Sequence, residues 1–162
     1  MGNNTTISQT EDVARILNPE WIQDGVLMHE AFMLNVGETY ISVNRTSIES
    51  YADDIAGFIG KHPNYSVGEE TYQRALLNVG DIRDIEVSVE GVSALIDVEV
   101  EARDTHTKSH AGIFTRLNHQ NVKRGQTLKA ESIPDGISAD TILLEVRMNL
   151  LDISKVETCS YK

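Results

Sequence analysis

Residues 94–103 read ALIDVEVEAR and carry the clearest secondary-structure pattern in the chain. Apolar and charged side chains alternate along it, which is typical of a strand that is buried on one side only. Residues 82–90 alternate in a similar way, and Gly91 stands between the two segments. We therefore predict an antiparallel hairpin over residues 82–103. Its outer face would be acidic, and this charge argues against dimerisation through that face.

Two further segments have strand character. Residues 39–44 read TYISVN, which places Tyr40, Ser42 and Asn44 on one face. Residues 111–117 are predicted to form a third strand after the hairpin. The polar connection that follows it, residues 118–135, contains no predicted element.

Helical periodicity, with apolar side chains every three or four positions, is found in three segments. The strongest follows Thr46 and Glu49, which have the spacing of a capping box, and Gly60 would end this helix. Ser138 can cap the last helix, for which a strand over residues 140–151 is the alternative. The predicted helices span residues 46–60, 66–77 and 138–152.

These elements predict an α+β fold, in which a mainly antiparallel sheet has helices packed on one face. A chain of 162 residues fits a single domain. We place that domain at residues 11–158, between a disordered, polar N-terminus at residues 1–10 and a short C-terminal tail at residues 159–162.

The charge of the chain bears on its partners. It has 25 acidic and 14 basic residues, so its formal net charge is −11. Such a field repels phosphate backbones and argues against nucleic-acid binding. The densest basic segment, residues 116–129, contains no aromatic residue and is interpreted as a solvated loop.

The location of the protein is predicted from its cysteine content and its hydropathy. Cys159 is the single cysteine, so neither an internal disulfide nor a cysteine-based metal site can form. No apolar run has the length of a signal peptide core or a membrane span. We therefore expect a cytoplasmic protein that does not bind membranes. Its oligomeric state is not specified by any pattern in the sequence.

The run at residues 104–114, DTHTKSHAGIF, concentrates the most reactive side chains. His106 and His110 are candidate catalytic residues, because imidazoles exchange protons near neutral pH. On a helix their spacing would direct both at one metal ion, with Asp104 or His119 as a third ligand. The segment follows a strand and is rich in Thr and Ser, so we expect a loop here, and we predict neither a metal nor another cofactor.

His110 has a second interpretation. The small residues Ala111 and Gly112 follow it and would leave room beside the ring for a ligand or a neighbouring backbone. The alternative is a structural histidine at the start of a strand.

A second candidate site lies where the strand at residues 39–44 meets the strongest helix. Ser42, Asn44 and Arg45 are candidate ligand-binding residues, since helix N-termini bind anions and an arginine adds a forked donor. The alternative is a surface pair between Arg45 and Glu49. The adjacent Asp53 and Asp54 of that helix would point about 100° apart and are interpreted as solvated surface.

Four segments in this order resemble a set of small uncharacterised bacterial proteins. They are an early PEWIQDG, then EAF, YISVNR and finally SHAGI, which together cover residues 19–113. In that set the His-Ala pair follows Asn-Pro-Ala, whereas here it follows Thr-Lys-Ser. The resemblance implies a bacterial, cytosolic, stand-alone domain and supplies no activity.

Two functional classes follow from these observations. No GxSxG or GxGxxG motif is present, so the first prediction is a binding or accessory module with a protein partner or a small anionic ligand. The alternative is a small enzyme acting on a nucleotide or another phosphorylated ligand, in which Arg45 holds the anion and His110 acts as acid or base. That scheme requires the two side chains to converge. It is excluded if they lie on opposite faces of the sheet.

Overall fold

The computed structural model describes residues 6–89, 91–105, 107–130 and 133–162. The α-helices are α1 (Tyr51–Lys61), α2 (Val79–Arg83) and α3 (Ala139–Ile153). The β-strands are β1 (Asp12–Ile16), β2 (Ile22–Gln23), β3 (Val26–Leu27), β4 (Tyr40–Arg45), β5 (Ser66–Gly68), β6 (Thr71–Asn78), β7 (Ile96–Ala102), β8 (His110–Leu117), β9 (Gln120–Asn121), β10 (Thr127–Ala130), β11 (Ile133–Ser138) and β12 (Lys155–Ser160).

The strands of the main sheet follow the order β12-β6-β1-β4-β8-β7, with β5 added beside β6 and β9 beside β8. Neighbouring strands run antiparallel. The predicted α+β class with a mainly antiparallel sheet is therefore confirmed. The hairpins β2–β3 and β10–β11 lie outside the main sheet.

Hydrophobic cores form on both faces of the main sheet. The larger core joins Val13 and Leu77 of the sheet to α2 and α3, which contribute residues such as Ile82 and Ile142. The smaller core joins the opposite face to Ile55 and Ile59 of α1, together with Ile16 and Tyr72 of the sheet. The prediction placed all helices on one face, whereas α1 packs on the face opposite to α2 and α3.

The predicted helix over residues 66–77 is wrong. This segment forms the antiparallel pair β5 and β6, and β6 lies between β12 and β1. Because both faces of β6 are covered, it buries Tyr72 towards α1, and Ala75 and Leu77 towards the larger core. Apolar residues on both faces remove the alternation that marks a half-buried strand.

The predicted hairpin over residues 82–103 is half right. β7 forms, but its partner is β8, the strand that follows it. The earlier segment begins with α2, which Asn78 caps by accepting a hydrogen bond from the Asp81 amide at 3.0 Å. Residues 85–89 then run outside the sheet, with Ile85 and Val87 buried. Apolar and polar side chains alternate here because one side of the segment is buried, although the segment pairs with no strand.

The other helix predictions are largely confirmed. α3 matches the predicted helix over residues 138–152, so the strand alternative is wrong. α1 begins only at Tyr51, and Thr46 lies in a turn where its hydroxyl bonds the Asp12 carbonyl at 3.2 Å. The capping box at Thr46 and Glu49 therefore does not form.

Two predicted boundaries differ from the structure. Ile7 is buried in the larger core, so the described residues 6–10 are not a free polar arm. Cys159 and Ser160 belong to β12, where they lie opposite Tyr72 and Thr71 of β6, so the domain extends beyond residue 158. The predicted polar connection at residues 118–135 contains β9, β10 and the start of β11.

Candidate functional site

A cleft of about 580 Å³ lies beside α1, over the part of the sheet face that α1 does not cover. We call it the α1 cleft. One wall carries Arg15 of β1, Ser42 and Asn44 of β4, and His110 of β8. The other wall carries Phe58 of α1 and the following Tyr65, and further α1 residues complete it. Its volume falls within the range of small-molecule sites.

The cleft opens where β1 and β4 separate. In the described structure these strands pair at Val13 with Arg45 and at Ala14 with Asn44. Continuing the same register would place Ile16 opposite Ser42, but that pair is not formed. Instead Arg15 Nη1 donates to the Ser42 carbonyl oxygen at 2.9 Å. The guanidinium of Arg15 thus replaces a backbone donor at the separation.

Arg15 is held firmly in this position. Its Nε donates to the Ala31 carbonyl oxygen at 3.0 Å, and its guanidinium lies 5.1 Å from the centre of the Trp21 ring. Burial lowers the pKa of Arg15, yet a guanidinium stays protonated at neutral pH. Among the described residues, no carboxylate lies within ion-pair distance of it. Arg15 is therefore a cation whose charge is not neutralised by direct contact.

A polar network ties α1 to the strands at the other end of the cleft. Ser109, which is fully buried, donates to Asp54 Oδ2 from its hydroxyl at 2.6 Å and from its amide at 3.1 Å. Asn44 Nδ2 donates to the Ser109 hydroxyl at 2.9 Å. Ser50 adds a third hydrogen bond to Asp54 Oδ2, at 2.9 Å. This network fixes the width of the cleft, because it links α1 to β4 and to the loop before β8.

His110 and Ser42 bring an imidazole and a hydroxyl together in the cleft. Asn44 lies directly opposite His110, and Ser42 lies opposite Gly112, so Ser42, Asn44 and His110 share one face. His110 Nε2 lies 3.2 Å from the Ser42 hydroxyl oxygen. A hydroxyl within hydrogen-bond reach of an imidazole can be positioned or activated by it. Ser42, Asn44 and His110 are thus three of the predicted site residues that the structure brings together.

Arg45 does not converge with the other predicted ligand-binding residues. Alternation along β4 turns Arg45 to the face opposite Ser42 and Asn44, where it is buried. There it forms a forked ion pair with Glu11, with Nε to Oε1 at 3.0 Å and Nη2 to Oε2 at 2.9 Å. Arg45 and His110 therefore lie on opposite faces of the sheet, which excludes the scheme that joined them. The alternative pair with Glu49 is also wrong, because the carboxylate that binds Arg45 belongs to Glu11.

The space over Gly112 is filled from within the chain. The ring of Tyr40 covers Gly112 so closely that a Cβ at this glycine would lie 2.5 Å from Tyr40 Cδ2. Arg103 and Arg116 pack over Phe114, at 5.1 and 4.7 Å from its ring centre. Gly112 therefore serves the packing of a neighbouring ring and not the approach of a ligand.

Aromatic side chains form the wall of the cleft on the α1 side. The ring centre of Phe58 lies 4.7 Å from that of His62 and 5.0 Å from that of Tyr65. Tyr65 in turn makes an edge-to-face contact with Trp21 at 6.2 Å. The cleft thus combines an aromatic wall with the charged group of Arg15, whose guanidinium is stacked on the same Trp21.

Several residues of the cleft were not predicted. Arg15 lies in a short strand whose sequence, DVARI, does not alternate clearly, and its position depends on where β1 and β4 separate. Asp53 is exposed, as predicted, and also lines the cleft, whereas Asp54 is half-buried and accepts hydrogen bonds from Ser109. The hydroxyl-rich sequence before His110 could have indicated the bond to Asp54, because a buried serine hydroxyl needs a hydrogen-bond partner.

The remaining predictions concern metals and membranes. His106 lies outside the described residues, so its predicted role stays a prediction. Within residues 6–89, 91–105, 107–130 and 133–162, no three His, Cys, Asp or Glu side chains are grouped so that they could hold a metal ion. None of the described helices is long and apolar enough to cross a membrane. Comparison with protein-family models, curated proteins and solved structures finds no match for this chain.

Proposed function

We propose that this protein is a small-molecule-binding module whose α1 cleft holds a phosphorylated ligand with a planar group, such as a mononucleotide. The observation that carries the proposal is Arg15, a charged guanidinium that lines a cleft of about 580 Å³ without a carboxylate in contact among the described residues. Arg15 would bind the phosphate. The aromatic wall at Phe58 and Tyr65 supports stacking of the planar group.

The acidic residues of the cleft fit the same ligand. Asp53 and Asp54 lie on α1, and Asp54 already accepts three hydrogen bonds at Oδ2. Their remaining oxygens are acceptors, which suit the hydroxyl groups of a sugar. Ser42 and Asn44 add neutral polar groups to the strand wall. A sugar phosphate or nucleotide would therefore find a cation, hydroxyl acceptors and an aromatic surface in one cleft.

The first experiment compares matched ligands by calorimetry and thermal shift. Mononucleotides should raise the melting temperature because they bind the native state, and the corresponding nucleosides should bind more weakly. Arg15→Gln should weaken nucleotide binding about tenfold to hundredfold, from the roughly 1.5–3 kcal/mol of a charge-assisted hydrogen bond. Arg15→Lys, which keeps the charge, should lose less.

A matched control comes from Arg124, which donates to the Leu34 carbonyl and lines a different pocket. Arg124→Gln changes the net charge by the same amount and should leave nucleotide binding unchanged. Equal binding of nucleotide and nucleoside by the native protein would contradict the proposal. So would an Arg15→Gln variant that is folded and binds nucleotide as well as the native protein does.

A second candidate function, an enzyme that acts on the same ligand, is favoured by the contact between His110 Nε2 and the Ser42 hydroxyl at 3.2 Å. His110 would act as the general acid or base for a group bound next to Arg15. Incubation of bound mononucleotides and sugar phosphates, followed by phosphate release and chromatography, tests for turnover. Activity that His110→Gln abolishes while binding persists would establish the enzyme. Binding without turnover supports the module.

The setting we propose for this module is the bacterial cytoplasm. The single cysteine is compatible with a reducing compartment, and the resemblance of residues 19–113 to small bacterial proteins supports the same location. In an accessory role, the ligand-bound module would bind a protein partner. The net charge of −11 supports neither a nucleic acid nor an anionic membrane surface as the partner.

A further inference from the structure

The two edges of the main sheet differ in how their backbone groups are satisfied. At the β7 edge, the Val100 amide donates to the Glu99 carboxylate at 2.7 Å, and the Val100 carbonyl accepts from Arg83 Nη2 at 3.3 Å. Arg83 and Glu99 also form an ion pair with each other. Side chains thus occupy the outward groups of Val100, at the centre of this edge, which opposes the pairing of another strand there.

The β12 edge has no such cover among the described residues. The Tyr161 amide donates to the Glu70 carbonyl at 3.0 Å, and this bond continues the register in which Glu157 pairs with Arg74. Alternate residues therefore direct their amides and carbonyls towards β6. Val156 and Thr158 direct theirs away from the sheet, where none of the described residues bonds to them.

The side chains of β12 add specificity to this open edge. Val156 is 42% exposed, which makes it one of the few large apolar side chains on the surface of the described chain. Lys155 and Glu157 flank it with opposite charges and lie on the other face of the strand. Glu157 uses Oε1 to accept from Arg74, and its Oε2 makes no hydrogen bond with a described residue. Oε2 is thus available to a lysine outside the chain.

We propose that the β12 edge is a homodimer interface, in which β12 of a second copy pairs antiparallel with it about a two-fold axis at Val156. In this register each Val156 lies opposite the other, and each Lys155 lies opposite the Glu157 of its partner copy. The outward backbone groups of Val156 then bond directly across the axis. The main sheet continues from one copy into the other.

Neighbouring registers fit less well. An axis at Glu157 places two carboxylates opposite each other, and the backbone of Glu157 is already directed to β6. An axis at Thr158 places Lys155 opposite Tyr161 and Glu157 opposite Cys159, so neither charge finds a partner. The axis at Val156 satisfies both the backbone direction and the charges. It does not involve the α1 cleft, and it stands independently of the proposed function.

The first test measures mass and amide exchange as functions of protein concentration. A single pair of short strands is a small interface, so the weight-average mass should rise from 18.0 kDa towards twice that value as the concentration increases. The amides of Val156 and Thr158 should gain protection over the same range. Those of Glu157 and Cys159, which bond β6, should be protected at every concentration. A mass of 18.0 kDa up to about 1 mM protein would overturn the proposal.

Two surface variants separate this edge from other modes of association. Val156→Pro removes an outward amide, so β12 can keep its pairing with β6 while the dimer is lost. Lys155→Glu sets like charges opposite each other and should also give the monomer, whereas Lys123→Glu, in a loop, should not. A folded Val156→Pro variant that still dimerises would show that the copies associate through another surface.

Cross-linking supplies a readout that does not depend on affinity. In a Cys159→Ser background, Val156→Cys should form a disulfide-linked dimer under mild oxidation, because residues opposite each other at the axis lie within disulfide reach. Val67→Cys in the same background is the matched control, since Val67 is also a strand residue and is 40% exposed. Equal cross-linking of the two variants would contradict a specific interface at Val156.

Discussion

Arg15 and Arg45 lie on neighbouring strands and have different roles. Arg45 is buried, and its charge is matched by the two carboxylate oxygens of Glu11. Arg15 bonds the carbonyl oxygens of Ala31 and Ser42, which occupy two of its donors without neutralising its charge. One arginine therefore stabilises the fold, and the other places a positive charge in the cleft, where we propose that a ligand binds.

The pair of Arg45 with Glu11 predicts a pH-dependent stability. Burial alone would raise the pKa of Glu11, but hydrogen bonds from Arg45, the Ser8 amide and Ser47 hold it below its ordinary value of 4.5. Since the pKa is lower in the folded state, Glu11 stabilises the protein above pH 4.5, and this contribution is lost as the pH falls through the lowered pKa. Glu11→Gln should reduce the free energy of unfolding by about 3 kcal/mol at pH 7.

The control for this prediction is Glu101, whose carboxylate pairs with Arg116 at a more exposed position. Glu101→Gln should cost less than about 1 kcal/mol, because water screens such a pair. Urea unfolding at pH 7 and at pH 3 measures both variants. A penalty for Glu11→Gln that is as large at pH 3 as at pH 7 would show that packing, and not charge, accounts for it.

Gly112 provides a second prediction for a single residue. A methyl group here would lie 2.5 Å from the Tyr40 ring, so Gly112→Ala must displace the ring and should destabilise the protein by about 2 kcal/mol. In a Tyr40→Ser background the same substitution should cost much less. Thermal unfolding of the four variants in a double-mutant cycle measures the coupling. If the two substitutions have additive effects on the free energy of unfolding, the contact between Tyr40 and residue 112 is not the cause of the destabilisation.

At the scale of elements, α1 is attached to the sheet by apolar packing and by hydrogen bonds at two places. The packing is its small core around Ile55 and Ile59. The hydrogen bonds join Tyr51 to β6 and Asp54 to Ser109. The remaining sheet surface beside it forms the α1 cleft. An element with few buried apolar contacts opens locally more readily than the main core does. We therefore expect the attachment of α1 to influence access to the cleft.

Removal of the Ser109 hydroxyl tests this attachment. Ser109→Ala deprives Asp54 of a donor and Asn44 of an acceptor in a buried network, which should cost about 1–3 kcal/mol. Hydrogen exchange should accelerate in α1, whereas the amides of α3, which packs on the other face, should keep their rates. Uniform acceleration in both helices would indicate a loss of global stability without a local effect on α1.

The sequence predicts those elements whose burial is one-sided. β7 and α3 each present a single apolar face, so their periodicity matches their structure. β6 was predicted as a helix because its two faces are both buried. Residues 85–89 alternate in burial like a strand but pair with none, because alternation records burial and not hydrogen bonding. Such misassignments follow from tertiary contacts that the local sequence does not contain.

The same distinction applies to the site. Ser42 and Asn44 were predicted to share a face, and the alternation of β4 confirms this. That alternation alone places Arg45 on the other face, but the face of His110 depends on its pairing with Asn44, which lies far away in the sequence. To predict that Arg15 lines the cleft, one must know where β1 separates from β4. Residue types were thus predictable, and their convergence was not.

At the scale of the whole molecule, the order of strands in the sheet differs from their order in the chain. The last strand, β12, lies beside β6 and covers its outer side. The residues predicted as a tail take part in this cover, since Cys159 and Tyr161 pack against the core around Tyr72. These residues therefore belong to the fold.

Shortening the chain tests this conclusion. Removal of residues 159–162 should lower the free energy of unfolding by about 2 kcal/mol, because it exposes apolar surface of Tyr72 and shortens β12. Tyr161→Ala should account for part of this loss. The Thr10→Ala variant, at an exposed position near the other end of the described chain, is a control that should change little. Unfolding that is unaffected by the truncation would mean that these residues act as a free tail.

The separation of β1 from β4 has a mechanical consequence. It divides the main sheet into a half built from β12, β6 and β1 and a half built from β4, β8 and β7. In the described structure the halves are joined by two residue pairs, by the contacts of Arg45 and Thr46 with Glu11 and Asp12, and by the bond from Arg15 to Ser42. If the protein were stretched across the strands, we expect this junction to separate first, because it has fewer residue pairs than any other junction in the order β12-β6-β1-β4-β8-β7. A ligand bound to Arg15 would lie at the junction between β1 and β4 and would change the force needed to separate these two strands.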